Sequence, residues 1–167
     1  MNRSIREIIV CFLIVLIPVL MNELLYFGPF FYFCTIPLIV ALFSIKQSNA
    51  VSMLIAFGIG MALDILSDGV PGLNAGAAVF CTMPRRVIFG HLFNLHEKTS
   101  LPSLKEAGVV KHLQFLSALN LFYFTFYVVL DGSASHNIWL SLARIGICVV
   151  ANSLLCIILE LFMLNDN

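Results

Sequence analysis

Charge is scarce in this chain. Of its 167 residues only 11% are charged, where a soluble domain carries about 25%, and mean hydropathy is +1.01. A water-soluble fold has nowhere to put so much apolar surface. Nine Lys and Arg balance nine Asp and Glu, and no basic face is rich enough to suggest nucleic acid as a partner. The five cysteines, Cys11, Cys34, Cys81, Cys148 and Cys156, all lie in apolar segments, without CxxC spacing or a nearby histidine at ligand spacing. They read as small hydrophobes rather than as metal or redox groups. Ser67, Ser117 and Ser141 lack any Gly-x-Ser-x-Gly context, so nothing points to nucleophilic catalysis. Internal repeats and low-complexity tracts are missing too.

What is present is a series of apolar stretches, at about 8–27, 29–45, 50–66, 72–90, 112–130 and 138–163. A membrane-spanning helix needs about 20 residues. Six of them use most of the chain and leave no room for a soluble domain. The expected architecture is one all-α integral membrane domain over 1–167, a six-transmembrane-helix bundle. The first stretch follows Arg3 and Arg6 but runs into Met21-Asn22-Glu23-Leu24 with no small-x-small cleavage site. It reads as a retained helix rather than a signal peptide.

Lys and Arg fall on alternate sides of these stretches: Arg3 and Arg6 first, then Lys46, then Arg85, Arg86, Lys98, Lys105 and Lys111. The other three connections carry only Glu23, Asp68 and Asp131 as charges. Cationic loops stay cytoplasmic, which predicts both termini inside a bacterial inner membrane and a basic edge meeting lipid headgroups. The second stretch contains Pro37 and is expected to kink or tilt. In the third, Ala56, Gly58, Gly60 and Ala62 alternate, and Ala56 and Gly60 share a face; the fourth opens with Gly72 and Gly76 four apart. Small residues let helices approach closely in lipid. A tight external hairpin through Asp68-Gly69-Val70-Pro71 is therefore predicted, and Gly72→Leu is expected to stop the two helices approaching. In the long connection 91–111, Ser103 and Glu106 form a capping-box pattern, which predicts a helix running straight into the fifth span.

Ionisable groups inside spans are costly and merit individual reading. Asp64 and Arg144 lie near the external ends of the third and sixth spans, and pairing between them is left open. Arg86 reads as a snorkelling side chain. Arg85 has two readings, one like Arg86, the other inward, toward Glu160 or helix-terminal carbonyls. Asp64 and Asp68 are four apart but lack a second acidic cluster to complete a metal site. His91, His96, His112 and His136 read as solvated loop or boundary residues. No catalytic residue, cofactor or metal is expected.

The run Phe57–Ala75 resembles the signature of the MreD rod-shape-determining family: a Gly-rich span ending in Asp, a Ser-containing turn, then Gly-Leu and a small residue. Gly60, Asp64, Ser67, Gly72, Leu73 and Ala75 carry the match. Arg85 and the run Leu101–Gly108 resemble features of a divergent branch of that family. Size, span count and orientation agree over essentially the whole chain. The resemblance implies a non-enzymatic subunit of the cell-elongation machinery, which binds MreC. Through MreC it would influence RodA, a class-B penicillin-binding protein and MreB; a homodimer is left open. The expected structural or partner-binding residues are Gly60, Asp64, Ser67, Pro71, Gly72, Gly76, Arg85 and Arg144.

The family is also similar in fold to the substrate-binding subunits of energy-coupling-factor vitamin transporters, which supplies the alternative of a small-molecule uptake subunit. Against it, the first span has no Ala-x-x-x-Ala face for a coupling protein. For it, Phe122, Tyr123, Phe124, Phe126 and Tyr127 could line a pocket. A membrane-embedded enzyme would need an acid/base pair or metal cluster, and the residues offer none.

Overall fold

The computed structural model describes residues 16–17, 19–22, 31–43, 47–67, 70–93, 108–132 and 137–165. Most of the first span, Lys46, Asp68, the capping pattern at Ser103 and Glu106, Cys11, His96 and His136 lie outside them. Every regular element among the described residues is helical. The helices are α1 (Ile36–Leu42), α2 (Asn49–Leu66), α3 (Leu73–Thr82), α4 (Arg85–Leu92), α5 (Val109–Leu130) and α6 (Ile138–Asn165). Three are long and apolar enough to cross a membrane: α2, α5 and α6. At 1.5 Å per residue, the 18 residues of α2 and the 22 of α5 reach about 27 and 33 Å. Those lengths match a hydrocarbon core of about 30 Å.

The other apolar stretches depart from the expectation of single spanning helices. The fourth is interrupted at Met83-Pro84, giving α3 and α4 of 10 and 8 residues. Met83 and Pro84 keep right-handed dihedrals. The break is thus one of hydrogen bonding, since proline has no N–H for the carbonyl four residues back, and the ladder resumes with Ile88 N–H on Pro84 O. The second stretch has no regular structure through Phe31–Thr35 and becomes helical only at Ile36. Pro37 stands in the first turn of α1, where a missing N–H costs nothing; it starts a helix rather than bending one.

The expected helix running from Ser103 straight into the fifth span meets an obstacle at Gly108. Its φ of 76° and ψ of 146° are not helical, and α5 begins one residue later.

The core centres on α3 and α5. α3 packs chiefly on α2 and α5, and α5 on α6, α3, α1 and α4. The buried face of α5 carries His112, Phe115, Leu116, Leu119, Asn120, Tyr123 and Tyr127, the three-and-four spacing of one helical stripe. Phe89, Phe93 and Phe115 form an aromatic cluster between α4 and α5. Outward faces are apolar, for example Leu54, Ile65, Val150 and Ile158, as a surface in contact with lipid requires.

Candidate functional site: buried polar residues at the helix breaks

Asp64 sits in the last turn of α2, 2% exposed. Its carboxylate reaches across the turn to the start of α3. Oδ2 accepts from the Gly72 N–H at 2.9 Å and the Ala75 N–H at 3.2 Å. Oδ1 accepts from the Asn74 N–H at 3.0 Å and from Asn74 Nδ2 at 2.9 Å. The first N–H groups of a helix have no intrahelical partner, and the helix dipole favours an anion there. Asp64 supplies that anion from a neighbouring helix.

Gly60 makes the approach possible, because a Cβ there would lie 2.4 Å from Ala75 Cα. The close contact expected at Gly72 is therefore found one turn before Asp64. At Gly72 a Cβ would meet nothing within 4 Å; glycine is needed there for its φ of 92°, a left-handed conformation costly to other residues. Gly76 faces α5 rather than α2, its Cβ position 3.1 Å from Leu130 Cδ1.

Asn74 extends the network. Its Oδ1 accepts from the Tyr123 hydroxyl, and its Nδ2 lies 3.3 Å from the Tyr32 hydroxyl. Tyr32 stacks on Tyr127, with centroids 5.0 Å apart. Ser67 turns away from this network and donates to Leu63 O at 2.8 Å, closing the end of α2, while Pro71 is exposed in the turn. Asp64 and Arg144 do not pair: Arg144 Nη1 meets Asp131 Oδ2 at 2.7 Å, and its guanidinium lies 5.8 Å from the Tyr127 ring centre.

The short α1 is held at both ends by side chains from elsewhere. Ahead of it, Asn152 of α6 accepts from the Cys34 N–H and donates to Tyr32 O, both at 2.8 Å. Asn22 does the same for Phe33, accepting from its N–H at 2.9 Å and donating to its carbonyl at 2.8 Å. Behind it, Arg85 Nη1 donates to Phe43 O at 2.6 Å and Val40 O at 3.3 Å. Arg85 is the largest fully buried side chain described. Of the two readings of Arg85, the structure selects the inward one, toward helix-terminal carbonyls. Arg86 is exposed and donates to Gln47 O.

Sequence reading misplaced one histidine. His112 is fully buried rather than a solvated boundary residue, with Nε2 2.5 Å from Glu160 Oε2. His91 is exposed, as expected. Asn152 and Asn22 were missed as well; the only signal for either is an amide inside an apolar stretch. Cys34, Cys81, Cys148 and Cys156 are buried, and Cys81 Sγ lies 3.4 Å from Leu119 O.

These features define an all-helical protein with helices fit to cross a membrane, whose buried polar side chains close its own interrupted backbone. No family model matches the chain, and neither does any curated protein or any solved structure.

Proposed function

We propose that this chain is a non-enzymatic scaffold of the bacterial cell-elongation complex, of the MreD type. On this reading it is a six-span bundle of the inner membrane with both termini cytoplasmic. It binds an MreC-like membrane protein and, through it, influences RodA, a class-B penicillin-binding protein and MreB. The observation that carries the reading is the Asp64 carboxylate closing the start of α3 over Gly72, Asn74 and Ala75. Asp64, Gly72 and Ala75 of this contact, with Gly60 beneath it, are among the residues on which the resemblance rests.

The same observation weighs against an uptake subunit. In transporters, ends of broken helices point at the transported solute or ion. Here Asp64 occupies the start of α3, Arg85 the end of α1, and Asn152 the irregular segment ahead of it. Tyr123 and Tyr127, candidates for a ligand pocket, are engaged in the Asn74 bond and the Tyr32 stack. A bundle plugged by its own side chains suits a rigid partner-binding role.

The test is purification from native membranes in mild detergent, with crosslinking and mass spectrometry of what accompanies the chain. Recovery of an MreC-like protein with wall-elongation enzymes is expected. Recovery of an ATPase and a coupling subunit instead would overturn the reading.

A further inference from the structure

The first turn of α6 is apolar, and no described part of the protein covers it. Ile138 and Trp139 are 70% and 80% exposed, Leu140 and Leu142 are exposed as well, and Ser141 between them is buried. At 3.6 residues per turn, four such side chains spread round most of the helix, so this is more than one outward face. The turn is well built all the same. Asn137 caps it: its Oδ1 accepts from the Trp139 N–H and its carbonyl from the Ser141 N–H, both at 3.1 Å. An asparagine in that place satisfies a donor that the start of a helix leaves open.

A charged pair further along α6 sets the depth of this turn. Arg144 Nη1 meets Asp131 Oδ2 just past the end of α5, and both side chains are partly exposed. Charges inside hydrocarbon are costly, so a pair that keeps contact with water marks the edge of the apolar layer. Trp139 stands five residues nearer the start of α6, about 7 Å further out along the axis. Helical side chains lean toward the helix start, which brings the pair itself closer than that. The hydrocarbon core is about 30 Å thick in a bilayer of about 40–45 Å, leaving about 5–7 Å of headgroup layer on each side. Trp139 therefore falls within that layer.

Its chemistry suits the place. Indole joins a broad apolar ring to a single N–H donor, and the boundary between lipid chains and water serves both. The neighbouring turns agree. Val70 and Pro71 between α2 and α3, and Leu130 at the end of α5, are exposed at the same end. At the opposite end the exposed residues include Arg86, His91 and Lys111.

We propose that the first turn of α6 is a lipid-binding anchor. Trp139, flanked by Ile138 and Leu140, seats in the headgroup layer of a bilayer, at the end of the bundle that holds Asp64. The anchor requires that α6 cross a membrane, for which its length and apolarity are suited, and does not depend on the scaffold reading.

Trp139 is the only tryptophan of the chain, so its fluorescence tests the proposal directly. The full chain is reconstituted in phosphatidylcholine vesicles whose acyl chains carry bromine at a shallow or a deep position. Bromine quenches tryptophan on contact, in either leaflet, so the direction of insertion does not matter. The shallow label should quench Trp139 more than the deep one, with emission to the blue of free tryptophan. Stronger quenching by the deep label would overturn the anchor. So would quenching by aqueous iodide alone, the sign of a ring in open water, or by neither agent, the sign of a ring covered by protein. A Trp139→Phe, Val150→Trp double variant moves the reporter about 16 Å along the helix and checks the premise separately. The deep label should quench that reporter best; if it does not, α6 does not cross the bilayer and the anchor fails with it.

Discussion

Two carboxylates are buried at opposite ends of this bundle, and their surroundings differ in kind. Asp64 faces three backbone N–H groups and one side-chain amide. This contact is local, joining residues eight to eleven apart. Glu160 faces a histidine 48 positions earlier (160 − 112). One contact closes a single turn between adjacent helices; the other joins distant parts of the chain. The bundle thus has an end fixed by local contacts and an end joined over long range.

That contrast can be broken most forcefully at the fixed end. Asp64→Ala should cost about 4 kcal/mol, because it strands several buried donors at once. The melting temperature in detergent should fall correspondingly. A melt unchanged from wild type would show that the first N–H groups of α3 do not need the Asp64 carboxylate.

Gly60→Ala should follow, at roughly 2–3 kcal/mol, as α2 and α3 are forced apart. Gly58, two residues away, is the control: a Cβ there meets nothing within 4 Å, and Gly58→Ala should change stability by less than about 0.5 kcal/mol. Equal melting curves for the two alanine variants would disprove the close-approach argument.

Tyr123→Phe removes one donor to Asn74 while keeping the ring, and should cost about 1 kcal/mol. A thermal melt unchanged from wild type would show that Asp64 and Tyr32 hold Asn74 without it. The smallest effect is expected from Arg144→Ala, since its partly exposed pair with Asp131 should contribute under about 1 kcal/mol. That contribution should shrink further in high salt.

The long elements were legible in the sequence. Apolar stretches at 50–66, 112–130 and 138–163 correspond to α2, α5 and α6 within a few residues. Hydropathy reads continuous helices well because each satisfies its own backbone and presents apolar side chains along its whole length. It reads interrupted ones poorly. Phe31–Thr35 is as apolar as a spanning helix, yet it is not helical, and what permits this is Asn152, 118 positions from Cys34. Nothing local announces such a partner.

The candidate site was legible to the same degree. Asp64, Gly60 and Gly72 stand out because their contact is short in sequence. His112 and Glu160 each pass for boundary residues, since a titratable group near a helix end is ordinary until its partner is seen. Pro84 was visible, and its position marks the break between α3 and α4.

Asn152 has a consequence for assembly. With one carboxamide it takes the N–H of Cys34 and gives to the carbonyl of Tyr32, as a neighbouring β-strand would. That strand-like service comes from α6, the last helix of the chain, to backbone near its beginning. While the chain is being synthesised, residues 32–34 therefore wait with two main-chain groups lacking their final partner. They gain it only once α6 has been made and packed beside them. Completion of the first third of the fold thus waits on the last, and a chain cut before Asn152 would keep α2 and α3 joined through Asp64 while leaving the entry to α1 open.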